Sequence, residues 1–132
     1  MPEFILPGNS DERFAALDPF IQGYIEALFF TCEEELGDKG FSDLDPATLG
    51  EILTTCEAFQ MAAADLLTEA YTRDYDATQA GRDYWFTRNG HGVGYWDRKQ
   101  LDGALGEALT ARAKSFGEVW AYEGDCGKIF IS

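Results

Sequence analysis

The chain has 132 residues, with 24 acidic and 10 basic side chains, so its formal net charge is −14 at pH 7. This length allows one compact domain, and an apolar content of 45% is too high for a disordered acidic tail. The charge argues against nonspecific duplex binding and against a polybasic membrane contact, because both need clustered Lys and Arg.

Three further features bear on where the chain works. No run of about 18 uncharged apolar residues is present, so no membrane span is predicted. Residues 1–10 lack the basic start and the apolar run of a signal peptide. Cys32, Cys56 and Cys126 are odd in number and have no CxxC spacing, which favours reduced thiols and a cytoplasmic protein.

Two helices are predicted in the first part of the chain, after an irregular lead over residues 1–17. Asp18 and Asp45 each precede a proline, which is a start signal because Asp caps the first amides and Pro suits the first helical position. The first apolar stripe continues towards Gly37, a plausible stop, and the second runs to about Tyr71.

The spacing of the apolar residues changes after the second predicted helix. A capping pattern over residues 76–79 predicts one turn of helix, ended by Gly81. Strand-forming residues over 83–88, an Asn-Gly turn at 89–92 and a second strand over 93–96 predict a hairpin.

The last part of the chain predicts a third long helix and a second hairpin. Asp97 with Gln100 resembles a capping box, and Gly117 closes the helix. Residues 119–122 and 128–131 then flank a glycine-rich turn. The predicted fold class is α+β, with two N-terminal helices followed by ββαββ. The four strands form an antiparallel sheet with the helices packed on one face.

The negative charge is confined to one half of the chain. Residues 1–80 hold 17 acids and 3 bases, whereas residues 81–132 hold 7 of each. We therefore describe residues 1–132 as a single domain with three parts. They are the irregular lead (1–17), an acidic helical half (18–72) and a neutral half that begins at residue 81. Any charge-driven function is expected to map to residues 18–80.

Rows of carboxylates on those helices predict a partner-binding surface. At 100° per residue Glu51, Asp65 and Glu69 fall on one face of a continuous helix. Carboxylates on adjacent turns lie roughly 6 Å apart, so a row of them can imitate phosphates and occupy a basic groove. The alternative is a solvated face that keeps the protein soluble. The predicted contact residues are Glu26, Glu33, Glu34, Glu35, Asp38, Glu51, Asp65 and Glu69.

Catalysis is not predicted. His91 is the one histidine, and no recognisable nucleophile motif accompanies it. The His and Cys spacings do not supply a zinc site, and acid pairs such as Asp74 and Asp76 make a weak cation site. We therefore expect no enzyme, metal or cofactor.

A second function remains open for residues 82–98, where basic side chains alternate with aromatic ones. Such a hairpin can stack single-stranded bases, which predicts a small nucleic-acid-binding or ligand-binding accessory protein. Its contacts, or a secondary contact of an acidic inhibitor, would be Trp85, Arg88, Asn89 and His91. The competing explanation is a sheet whose aromatic side chains face the core.

Residues 79–98, QAGRDYWFTRNGHGVGYWDR, resemble the AGxDxWxTRNGHGxGxWDR motif of small uncharacterised phage and plasmid proteins. The resemblance extends over about residues 66–131 and covers residues 1–65 less clearly. It carries no activity, but it implies an origin on elements whose small acidic proteins often disarm host defences. By analogy it implies an anti-CRISPR or antirestriction inhibitor in the host cytoplasm, monomeric or homodimeric. Its partner would be a CRISPR effector or restriction enzyme with a basic groove, and no direct duplex DNA binding is expected.

Overall fold

The computed structural model describes residues 12–37, 39–90 and 92–132, without the side chains of Glu34 and Glu35. Within these ranges the protein is mostly helical. The α-helices are α1 (Glu12–Ala15), α2 (Pro19–Thr31), α3 (Glu33–Leu36), α4 (Pro46–Ala62), α5 (Ala64–Ala70), α6 (Ala77–Arg88) and α7 (Gly103–Lys114). Short 3₁₀ turns cover Phe41–Asp43 and Tyr95–Asp97. Strands β1 (Ala121–Glu123) and β2 (Ile129–Ile131) pair antiparallel, with Ala121 opposite Ile131.

Three helix starts that were predicted from aspartates are confirmed. The Asp18 carboxylate accepts from the Phe20 amide at 3.0 Å, and Asp45 accepts from two amides in the first turn of α4. Asp76 accepts from the Gln79 amide at 2.8 Å. These bonds satisfy amides that have no partner within their own helix.

The predicted four-stranded antiparallel sheet is wrong. Residues 83–88, predicted as the first strand, lie inside α6, and residues 93–96 form no strand and enter a 3₁₀ turn. The second predicted hairpin is confirmed as β1 and β2, which are the only strands among the described residues. The ββαββ prediction is therefore replaced by a mostly helical fold with one two-stranded sheet.

The burial of α6 explains this error. Eight of the nine residues from Ala80 to Arg88 are buried, and together they cover every side of the helix. A helix buried all round shows no stripe with a period of 3.6 residues, so its aromatic side chains indicate a strand instead. The buried positions are Ala80, Gly81, Asp83, Tyr84, Trp85, Phe86, Thr87 and Arg88.

Several predicted boundaries move for identifiable reasons. Asn89 and Gly90 end α6 rather than turning a hairpin, since Gly90 has φ 66° and its amide donates to the Thr87 carbonyl. Helix α7 begins after Asp102, which accepts from the Leu105 amide at 2.9 Å, and not at residue 97.

The two predicted N-terminal helices are each divided. Cys32 (φ −101°, ψ 20°) separates α2 from α3, and Ala63 (φ −111°, ψ 19°) separates α4 from α5. The predicted stop at Gly37 is the end of α3. Helix α1 lies within the lead that was predicted to be irregular, and residues 1–11 lie outside the described ranges.

Helices α2, α4 and α6 meet in an aromatic core. The rings of Phe59 and Tyr84 stack with centroids 4.2 Å apart, and Tyr24 packs 5.4 Å from Tyr84. Helices α2 and α6 approach so closely that a Cβ at Gly81 would overlap the Phe20 carbonyl. Gly81 is therefore a packing residue and not the predicted helix stop.

Candidate functional site

Glu26, predicted as a partner contact, faces inward. Its carboxylate accepts from Arg82 at 3.1 Å, and only 14% of its side chain is exposed. The pair joins α2 to α6, so Glu26 contributes to packing between the two halves of the chain. It does not present a charge to a partner.

Asp65 and Glu69 are exposed on α5, but each lies beside a base. Arg73 donates to Glu69 at 2.6 Å and to Asp102 at 2.8 Å, and these carboxylates raise the pKa of Arg73. Arg112 lies 3.9 Å from Asp65. The break at Ala63 also separates these two acids from Glu51, so the three do not share one continuous helix face as predicted.

Glu33 and Glu51 are exposed and form no ion pair with another described residue. They lie on α3 and α4, which the structure keeps as separate elements. The same is true of Glu57 on α4, an acid that the sequence reasoning did not select. The side chains of Glu34 and Glu35, and all of Asp38, fall outside the described part of the structure.

The proposed nucleic-acid contacts of residues 82–98 are largely internal. Trp85 is fully buried and donates from Nε1 to the Thr31 hydroxyl at 2.7 Å. Asn89 accepts from the Val119 amide at 2.8 Å. The buried ring of Trp85 cannot stack a base, whereas the ring of Trp96 in the same segment is 41% exposed. His91 lies outside the described residues.

The positive charges of this segment are also turned inward. Arg82 and Arg98 pair with Glu26 and Asp83, so these two pairs cancel, while Arg88 is buried without a carboxylate beside it among the described residues. The net charge of the molecule remains −14, because burial does not remove the Arg88 charge from the total. Folding does leave little positive surface on these three arginines.

Arg88 is held by neutral acceptors. Its Nε donates to the Gly117 carbonyl at 2.8 Å, and Nη2 donates to the Phe116 carbonyl at 2.9 Å. Nη1 donates to the hydroxyls of Tyr24 and Thr55, both at 3.2 Å. The guanidinium also lies over the ring of Tyr84, 5.3 Å from its centroid.

A cavity of about 110 Å³ lies beside this guanidinium. Its walls come from α2, α4, α6, the segment just before β1 and strand β2, so five separate parts of the chain build it. Burial raises the pKa of the Tyr24 hydroxyl, against the opposing effect of the Arg88 charge, so Tyr24 stays protonated. The lining residues are Tyr24, Glu51, Ile52, Thr55, Arg88, Val119 and Ile131.

Sequence reasoning missed this cavity because its members are far apart in the chain. Arg88 contacts Tyr24 and Thr55 across separations of 64 and 33 residues. No local spacing of residues along the sequence indicates such a site. The one available signal was Arg88 itself, a charged residue within a strongly aromatic run.

Metal-binding clusters and membrane-spanning helices are both absent from the described residues. No group of three or more His, Cys, Asp or Glu side chains there is arranged to hold a metal ion. None of the described helices combines the length and the apolar character needed to cross a membrane.

The chain matches no protein-family model, no curated protein and no solved structure at a significant level.

Proposed function

We propose that the protein is an acidic, non-catalytic inhibitor that binds the basic nucleic-acid groove of a host defence complex. The supporting observation is the net charge of −14 on a molecule in which Arg88 is buried and Arg82 and Arg98 are paired with Glu26 and Asp83. Complementary fields steer such a surface to a basic partner and disfavour nucleic acid itself.

The main contact is assigned to acids that keep an uncompensated charge. Glu33, Glu51 and Glu57 are exposed and form no ion pair with a described residue. Asp65 and Glu69 are secondary, because Arg112 and Arg73 already neutralise part of their charge. Glu34, Glu35 and Asp38 extend this acidic region along the sequence.

The surface beside Glu51 suits a long basic side chain. An open groove of about 600 Å³ runs along α4, and Phe116 forms its other wall. The α4 wall carries small side chains, which include Ala47, Thr54 and Ala58. Lys and Arg bury their aliphatic stems on such apolar surfaces and keep their charge at the edge, here beside Glu51.

The class of partner rests on the resemblance to phage and plasmid proteins. CRISPR effectors and restriction enzymes both bind nucleic acid through grooves lined by Lys and Arg. An acidic competitor on a mobile element would block such a groove without any chemistry. CRISPR effectors are the first class to test and restriction enzymes the second.

A competition assay with matched charge reversals tests this proposal. A fluorescein-labelled target duplex is bound to a candidate effector, and its displacement by the protein is followed by fluorescence anisotropy. Glu51→Lys with Glu57→Lys alters two of the acids assigned to the main contact. Glu107→Lys with Glu118→Lys makes the same change in net charge at exposed acids of the second half.

We expect the first double variant to weaken displacement by at least about tenfold, because reversing two interfacial charges together should cost at least about 1.4 kcal/mol. The control should retain most of the activity. Equal losses in both variants would show that net charge acts without a defined face. If both double variants displaced the duplex as well as the parent protein does, the proposal would be contradicted.

A further inference from the structure

Arg88 is a buried cation that forms no ion pair with a described residue. It is 6% exposed, and its polar partners are two carbonyls and two hydroxyls. Buried charges in proteins are usually paired with an opposite charge, because desolvation without one is costly. In a chain with 24 acids, no described carboxylate lies within 4.0 Å of this guanidinium.

Two residues that line the cavity carry hydrogen-bond donors with no acceptor among the described residues. The guanidinium has five N–H groups, and four of them are used by its protein partners, which leaves one on Nη2. The Tyr24 hydroxyl accepts from Arg88, and its own hydrogen has no acceptor among the described residues. Tyr24 is 1% exposed, so bulk water does not satisfy it.

The remaining walls indicate the shape of a ligand. Ile52, Val119 and Ile131 line the cavity with aliphatic surface next to the donors. A volume of about 110 Å³ is that of a few water molecules or of one small organic anion. A carboxylate with a short aliphatic tail matches both the donors and the apolar wall.

Glu51 is the one acid in the lining, and it opposes an anion. It is exposed, so water screens its charge, whereas the charge of the buried Arg88 is screened much less. The net field inside the cavity is therefore expected to be positive. Glu51 would limit the affinity without abolishing binding.

We propose that this cavity, walled by Arg88, Tyr24 and Thr55, binds a small carboxylate with a short aliphatic tail. One carboxylate oxygen accepts from the remaining Nη2–H of Arg88 and the other accepts from the Tyr24 hydroxyl. Thr55 donates as well when the Tyr84 hydroxyl, 2.8 Å away, donates to Thr55. Glu51 belongs both to this lining and to the acidic surface, but the binding of a small carboxylate does not rest on the proposed macromolecular partner.

The test is a titration of the full-length protein with sodium acetate and sodium propionate, followed by NMR. Sodium chloride keeps the ionic strength constant and serves as the control anion. We expect saturable shifts at residues around the cavity, such as Val119 and Ile131, with propionate binding at least as tightly as acetate. A cavity filled by water alone would give no saturable shift, and that result would overturn the proposal.

Two variants separate this site from general anion binding. Tyr24→Phe keeps the ring and removes the donor, so the affinity should fall about tenfold, as expected for a lost hydrogen bond to a charged group. Glu51→Gln should raise the affinity severalfold. Glu57→Gln makes the same charge change on α4 away from the cavity lining and should leave it unchanged.

Glu51 is exposed, so its variant is expected to fold even if Tyr24→Phe does not. Equal affinities for the Glu51→Gln and Glu57→Gln proteins would overturn the assignment of the cavity. So would a chloride response that matches the acetate response.

Discussion

Asp83 shows how the polar residues of the motif work as structural contacts. It is fully buried and accepts from the Tyr75 hydroxyl at 2.6 Å and from Arg98 through Nε at 2.9 Å and Nη2 at 2.5 Å. Gln79 donates to the same carboxylate at 3.2 Å. Four donors therefore satisfy one buried charge and tie the segment after α6 back to that helix.

Asp83→Ala should lower the free energy of unfolding by about 3 kcal/mol. The value belongs at the lower end of the range for a broken buried pair, because 27% of the Arg98 side chain is exposed and can be rehydrated. Tyr75→Phe, which removes one donor and keeps the pair, should cost about 1 kcal/mol. Urea denaturation measures both, and equal losses would contradict this account of the network.

Asp102 adds a pH-dependent contribution to the stability of the folded protein. The Leu105 amide, and then Arg73, hold the pKa of Asp102 below its ordinary value of 3.8. A depressed pKa in the folded state means that the stabilisation is present above the unfolded pKa and is lost as the pH falls through the folded pKa.

We therefore expect Asp102→Asn to be less stable than the parent protein near neutral pH. The difference should shrink as the pH is lowered from about 5 to about 3. Thermal unfolding across this range measures it, with Glu107→Gln on α7 as the control. A stability difference that does not change with pH would show that the carboxylate charge makes no contribution.

At the scale of elements, the crossing of α2 and α6 depends on two glycines. A Cβ at Gly23 would overlap the Thr78 carbonyl, and one at Gly81 would overlap the Phe20 carbonyl. The obstructing atoms are backbone, so they cannot move aside as a flexible side chain does. The same close approach allows Tyr24 to reach Arg88.

Gly81→Ala should destabilise the protein by about 3 kcal/mol, since the two helices must separate. Gly50 is the matched control, because it lies within α4 and an added Cβ there meets nothing within 4 Å. Gly50→Ala should stabilise by about 0.5–1 kcal/mol through helix propensity. Chemical denaturation gives both signs, and a Gly81→Ala protein as stable as the parent would contradict the close crossing.

Some elements could be predicted from the sequence because they depend on local interactions. Others could not, because they depend on burial in the folded protein. Capping by Asp18, Asp45 and Asp76 is a local interaction, so three helix starts followed from residue type and spacing. Helix α6 was missed because burial on all sides removes the amphipathic pattern, and Asn89–Gly90 serves helix ends as well as hairpin turns.

The candidate sites also combine features that the sequence shows with features that depend on tertiary contacts. Exposed acids such as Glu33 and Glu51 are visible in composition, but the pairing of Glu26 with Arg82 is a tertiary contact across 56 residues. The Arg88 cavity needs α2, α4, α6 and the C-terminal hairpin region together, so no local pattern reveals it.

At the scale of the whole molecule, the acidic and neutral halves are one folding unit. Helix α6, at the junction of the two halves, packs on α2 through Gly81, Arg82 and Trp85. A fragment of residues 81–132 would lose this core, so truncation does not test where the function lies. Charge variants of the full chain are the appropriate means.

We propose above that the acidic surface binds a basic groove by electrostatic attraction. The most direct measurement is the affinity of the full-length protein for a candidate CRISPR effector at a series of salt concentrations. Exposed charge pairs are screened over about 8–10 Å at physiological ionic strength, so the claim predicts affinity that falls steeply between about 0.05 and 0.3 M salt. An affinity that stays constant over this range would contradict it.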